Sequence, residues 1–230
     1  QGILQSRGGI MKILVACETS GTVREAFASR GHDTWSCDIL PSDDGSNRHI
    51  TDDVRNVLTM EQWDLLMVAH PPCTRLCNSG VRWLHKAPPG KTLDDMWNDL
   101  DEGAKLFADL WNADVPRVAV ENPVMHKYGK EKIQAVSSRA FPWKATQTVQ
   151  PWQFGHDPDG DDNVSKRTCL WLRGLEPLEH TGSLDGSSAR ADIHNASPGP
   201  DRWKIRSKFF PGIANAMADQ WGQQALRSIS

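Results

Sequence analysis

The sequence predicts an α/β protein with a Rossmann-like, mostly parallel sheet covered by helices on both faces. Three observations lead there. Short apolar runs alternate with helical patterns along the chain. Several runs are apolar throughout instead of at every second residue, as strands buried on both faces require. Acids, thiols and prolines gather where the runs end, on the rim where open α/β sheets bind ligands.

The first run, "KILVAC" (12–17), is rich in strand formers, and "GTVREAFASRG" (21–31) puts Val23, Ala26 and Phe27 on one helical face with Gly31 as a stop. "DTWSCD" (33–38), "DLLMVA" (64–69) and "RVAVEN" (117–122) read as the next strands. Between the last two, Leu93, Met96, Leu100, Ala104, Phe107 and Leu110 recur at three- and four-residue steps, so an amphipathic helix leads into 117–122. "ATQTVQ" (145–150) and "TCLWLR" (168–173) are later strands, and 213–227 is a last helix. Residues 174–202, rich in Gly, Ser, Pro and Asp, read as loop.

The 230 residues are expected to form one domain from Met11 onward, after a disordered or appended tail at 1–10. A hydrophobic share of 38% supplies a core, and no segment has the length and apolarity of a membrane span. Five scattered cysteines, an odd number, favour free thiols in a reducing, cytoplasmic compartment. A net charge of −3 excludes a uniformly basic nucleic-acid binder, so any such surface must be local.

The strand ends carry Cys17-Glu18, Asp38, Asp53 after a loop, His70-Pro71-Pro72-Cys73 and Glu121-Asn122-Pro123. A cysteine's commonest role is a small buried hydrophobe, but the prolines before Cys73 and the polar loop after it argue against a packed core position. No Asp or Glu occurs from Leu65 to Leu93, while Arg75, Arg82, Lys86 and Lys91 do. That stretch reads as a basic, phosphate-contacting loop, bending at Gly80 and at Pro88-Pro89-Gly90, with Trp83 as an anchor or a wedge into a base stack. A carboxyl such as Glu121 beside a thiol nucleophile suits general acid catalysis on a ring nitrogen.

On these residues the chain resembles the DNA (cytosine-5) methyltransferases, particularly small phage-type members. "DLLMVAHPPCTRLCNSG" is similar to their catalytic PPC segment and "VAVENP" to their ENV segment, in the family's order. "LVACETSGTVREAFASRGHD", "CD" at 37–38, "TDDV" at 51–54 and "FPGIANAMADQWG" resemble the family's cofactor and closing segments. The resemblance implies a methyltransferase fold and transfer of a methyl group from S-adenosylmethionine to C5 of a flipped-out cytosine in DNA. Cys73 would attack C6 and Glu121 would hold N3 and the exocyclic amine, with Arg167 as a third catalytic residue. The cofactor would meet Cys17, Glu18, Thr19, Ser20, Gly21, Asp38, Ile39, Asp53, Val54, Pro71 and Asn215, Asp38 taking the ribose hydroxyls and Asp53 the adenine amine. DNA would meet Arg75, Ser79, Arg82, Trp83 and Lys86.

The chain departs from the family pattern in several places. The glycine-rich opening keeps only Gly21, the ENV valine is Pro123, and Ser165 and Cys169 flank Arg167 where the family has Gln and Arg. Residues 174–208 stand where a whole target-recognition domain is normally inserted, so sequence readout is expected to be short, or supplied by a partner protein. The altered opening also fits a binding module without activity. Other chemistries fit less well. Amino-group methyltransferases need an aromatic where Cys73 stands. Cys73-x3-Cys77 beside His70 lacks the H-x-E of zinc deaminases, and "DPDGDD" (157–162) lacks the closing glutamate of a calcium loop. "RWKIRSK" (202–208) reads equally as a solvated face or a DNA-backbone contact.

Overall fold

The computed structural model describes residues 9–191 and 209–227, with side chains in the last helix through Gln223. Seven strands form one sheet in the order β3-β2-β1-β4-β5-β7-β6. They are β1 (Lys12–Ala16), β2 (Asp33–Asp38), β3 (His49–Thr51), β4 (Leu65–Val68), β5 (Arg117–Asn122), β6 (Gln147–Val149) and β7 (Thr168–Arg173). β1 to β5 run parallel, whereas β7 is antiparallel to both β5 and β6. The helices are α1 (Thr22–Ala28), α2 (Val54–Val57), α3 (Leu93–Asn112), α4 (Lys127–Val136) and α5 (Pro211–Arg227), with short 3-10 segments at Asn78–Leu84 and Pro151–Phe154.

Alternate residues of the central strands feed two cores. Ile13, Val15, Leu65, Met67 and Leu170 pack with Val23 and Phe27 of α1 and Ile213, Met217 and Trp221 of α5. Leu14, Ala16, Leu66, Val68, Val118 and Val120 face the other way, onto Met96, Leu100, Phe107 and Trp111 of α3 and Ile133 of α4. That two-sided burial explains why these strands read as unbroken apolar runs. α3 begins with a capping box, Thr92 accepting from Asp95 N and Asp95 reaching back to Thr92 N. No helix among the described residues is long and apolar enough to cross a membrane.

Residues 174–191 carry no helix or strand and fold back onto the body: Leu178 N donates to Gln147 Oε1 and Gly182 N to the Gln153 carbonyl. The basic segment 202–208, and the rest of the expected insert beyond 191, lie outside the described residues.

Two expectations for the loop after β4 need correction. Arg75 is not held out toward a phosphate. It lies on α3, its Nε 3.3 Å from Asp99 Oδ2, and a stretch free of acids in sequence is therefore not free of them in space. Gly80 is not a bending point either, because a Cβ there would sit 1.9 Å from the Thr74 carbonyl oxygen. Glycine stands at 80 because two backbone segments meet. Gly80→Ala is expected to destabilise the protein by about 2 kcal/mol or more, as overpacking against an immovable group does. Urea unfolding checks this, and an unchanged midpoint would restore the flexible-hinge account.

Candidate active site

The strand order reverses between β1 and β4, and ligands of open α/β sheets bind in the crevice at such a point. Two groups of side chains converge on this rim, one at the ends of β1 to β3 and one at the ends of β4, β5 and β7.

In the first group, the chain leaves β1 through Cys17 at φ 57 and enters α1 through Gly21 at φ 73. The left-handed turn that glycine makes freely is thus kept at position 17 by a non-glycine residue, a conformation costing roughly 1 kcal/mol. Glu18 is buried and acts on the helix: its carboxylate accepts from Val23 N at 2.7 Å and Arg24 N at 3.2 Å, and Ser20 Oγ lies 3.3 Å away. Burial raises its pKa, and those donors oppose the rise. Thr19 bonds to Asp43 and is exposed. The carboxylates of Asp38 and Asp53 both act on the Cys17 thiol, whose ionisation is pushed up first by burial and then by those charges. The two acids therefore share one crevice. Asp38 Oδ1 accepts from Leu40 N. Ile39 beside it is 74% exposed, an apolar surface at the mouth, while Val54 and Pro71 are buried in the walls. Asp53 caps α2 and is clamped by Arg55, which holds its carboxyl below the usual range.

In the second group, Cys73 begins a turn in which Leu76 N and Cys77 N both donate to its carbonyl. The turn is fastened to the segment after β5. Asn78 N donates to the Val124 carbonyl, His126 N to the Leu76 carbonyl, and Cys77 bridges Met125. His126 Nδ1 accepts from Gly129 N, so Nε2 carries the proton and donates to the Arg75 carbonyl at 2.5 Å. The thiol at the end of β4 is thereby fixed relative to Glu121 on β5. Glu121 is 3% exposed, and its Oε1 has no protein partner. Burial raises its pKa to about 7, against the pull of Lys166. His70 is also without a partner at Nε2; burial, then Lys166, keeps its ring neutral, and it rests against Phe209.

Lys166 is the cation that acts on Glu121, Cys73 and His70 alike, and it lines a small hollow with Glu121, Thr168, Phe209 and Phe210. Arg167, the residue the sequence pattern singles out, is exposed and acts on Cys169 instead. The cationic role suggested by spacing falls one residue earlier. The spacing rule follows residue type, whereas the turn into β7 at Thr168 decides which neighbour looks inward.

The remaining candidates are scattered. Ser79 Oγ is 3.0 Å from Cys77 Sγ, underneath the nucleophile's turn. The Arg82 guanidinium stacks on Trp83 at 4.3 Å, and Trp83 is half-buried against the α3-side core, an anchor more than a free wedge. Arg82, His85 and Lys86 remain exposed. Asn215 lies apart from the crevice, accepting from Arg30 beyond the far end of α1. It lines a groove of about 580 Å³ with Arg30, Phe154, Asp162 and Asp219. That groove is the larger hollow, yet it holds neither the thiol nor the buried carboxyl. All five cysteines are free. Among the described residues no three His, Cys, Asp or Glu side chains are grouped to hold a metal ion. No protein-family model matches the chain, and no curated protein is significantly similar to it.

Proposed function

We propose that this protein has a methyltransferase fold and transfers a methyl group from S-adenosylmethionine to C5 of cytosine in DNA through a covalent bond to Cys73. One observation carries the reading: a partly exposed thiol at the end of β4 stands beside a buried, partnerless carboxyl at the end of β5, with a lysine over both. Cytosine C6 is a weak electrophile until N3 is protonated or hydrogen-bonded. A carboxyl with a pKa near 7 holds a proton for N3 at neutral pH. As the Cys73 sulfur bonds to C6, the C5=C6 electrons move into the ring and make C5 nucleophilic. Loss of the C5 proton and cleavage of the sulfur–carbon bond then regenerate both partners. The Lys166 charge favours negative sulfur at the moment of attack.

The crevice residues fit the donor: two strand-end acids suit ribose hydroxyls and an adenine amine, and exposed Ile39 suits the face of a ring. Bound there, S-adenosylmethionine supplies the methyl group. Exposed Arg82, His85 and Lys86 suit a phosphate backbone, and the short 174–191 segment supports sequence readout that is limited or provided by a partner protein.

Nucleoside mass spectrometry of DNA incubated with the protein and cofactor is expected to reveal 5-methylcytosine. DNA containing 5-fluorocytosine is expected to trap the protein covalently, because fluorine does not leave as the proton does. Modification without an adduct would reject the covalent route.

A second reading is a nucleic-acid-binding module without transfer, favoured by the clamping of Asp53 by Arg55. DNA binding with neither adduct nor modification would select it.

A further inference from the structure

Cys77 has no part in the reaction described above, yet it lies against the nucleophile. One helical turn separates the two cysteines, Cys77 N donates to the Cys73 carbonyl at 3.0 Å, and the two thiols hydrogen-bond to each other. Cys77 is 6% exposed and lies beneath the more accessible Cys73. Its surroundings are donors: Ser79 Oγ at 3.0 Å and the backbone N–H groups of Ser79 and Gly80. Those of Cys73 are the opposite, since besides the Cys77 contact it meets burial and the Glu121 carboxyl.

We infer that Cys77 is the proton acceptor for Cys73, the two sulfurs sharing one proton that passes to Cys77 when Cys73 attacks. The inference rests on Cys73 being the nucleophile. At rest the negative charge lies on Cys77 among its donors and the proton on Cys73, in keeping with the lowered Cys77 pKa and raised Cys73 pKa that their mutual hydrogen bond produces. On attack the Cys73 S–H bond breaks, the sulfur–C6 bond forms, and Cys77 becomes the thiol. Its hydrogen then has an acceptor in the Thr74 carbonyl, 3.8 Å from the sulfur. On elimination the Cys73 sulfur leaves with its electron pair and takes the shared proton back. No base from solvent is needed, and Cys77 is a positioning residue that acts through Cys73.

The test uses the whole protein without DNA or cofactor. Absorbance at 240 nm is expected to show one thiolate appearing well below the ordinary thiol range of about 8.5, and to lose it in Cys77→Ser, whose hydroxyl keeps the contact with Ser79 but holds no charge. Alkylation of Cys73 by iodoacetamide, located by peptide mass spectrometry, is expected to vary little between pH 6 and 9 in the wild type. In Cys77→Ser and Cys77→Ala it should rise about tenfold per pH unit, as for an isolated thiol. Absence of the early thiolate in the wild type, or identical alkylation profiles in all three proteins, overturns the inference. Melting curves establish that the variants are folded, and the wild-type absorbance titration decides even if they are not. A failure to modify DNA would remove the methyltransferase reading while leaving the thiol titration standing.

Discussion

Cys73→Ala is expected to lower methyl transfer by on the order of 10⁴-fold or more, since removing a covalent nucleophile leaves only binding and orientation. The variant should bind S-adenosylmethionine as the wild type does, because the strand-end acids and Ile39 lie at β2 and α2, not at the 73–77 turn. It should also keep its stability to within about 1 kcal/mol, since the side chain is partly exposed and fills no core. No adduct should form on 5-fluorocytosine DNA. Calorimetry, urea unfolding and denaturing gels make these readings separately. Retained transfer in Cys73→Ala would show that the sulfur is not the attacking atom and would turn attention to His70 and Lys166.

The parts of this fold that sequence revealed are those whose pattern is set by burial alone. The strands 33–38, 117–122 and 168–173 fall where the apolar runs place them. The first strand stops at Ala16, one residue early, because Cys17 turns left-handed. α4 escaped the periodicity reading. Its buried residues are only Gly129 and Ile133, and its partner is α3, so tertiary contact and the His126 cap make it a helix. β3 is three residues at the sheet edge, too short for any period. The site divides in the same way. Cys73 and Glu121 were legible because strand ends are legible. Lys166 was not, since its inward direction depends on where β7 begins. The attachment of Arg75 to Asp99, 24 residues along the chain, was equally invisible.

Glu121 joins activity and stability in one side chain, and the two should respond to pH together. Its folded pKa is raised to about 7 from an ordinary carboxyl value of 4.5, chiefly by burial. Below the unfolded value the group is protonated in both states and contributes nothing. Between 4.5 and 7 the folded protein holds a proton that the unfolded chain releases, so stability falls as pH rises through this window. Above it, the native state carries a buried carboxylate at a cost of about 3 kcal/mol. Glu121→Gln removes that cost. It is therefore expected to match the wild type in urea unfolding near pH 4.5 and to exceed it by up to about 3 kcal/mol at pH 8. Activity should move the other way. Wild-type kcat/KM should decline as pH rises past about 7, where the proton for N3 is lost. Glu121→Gln should lose about 10²- to 10⁴-fold, the usual worth of a positioned general acid, and with it that alkaline decline. Equal stability of the two proteins at pH 8 would mean that the carboxyl is hydrated or paired when ionised. Its partnerless Oε1 would then mark no substrate contact, and the proton-donor role would fall with it. The opposite result, a protein made sturdier and slower by one atom exchanged, would identify an acid kept buried for the sake of the reaction.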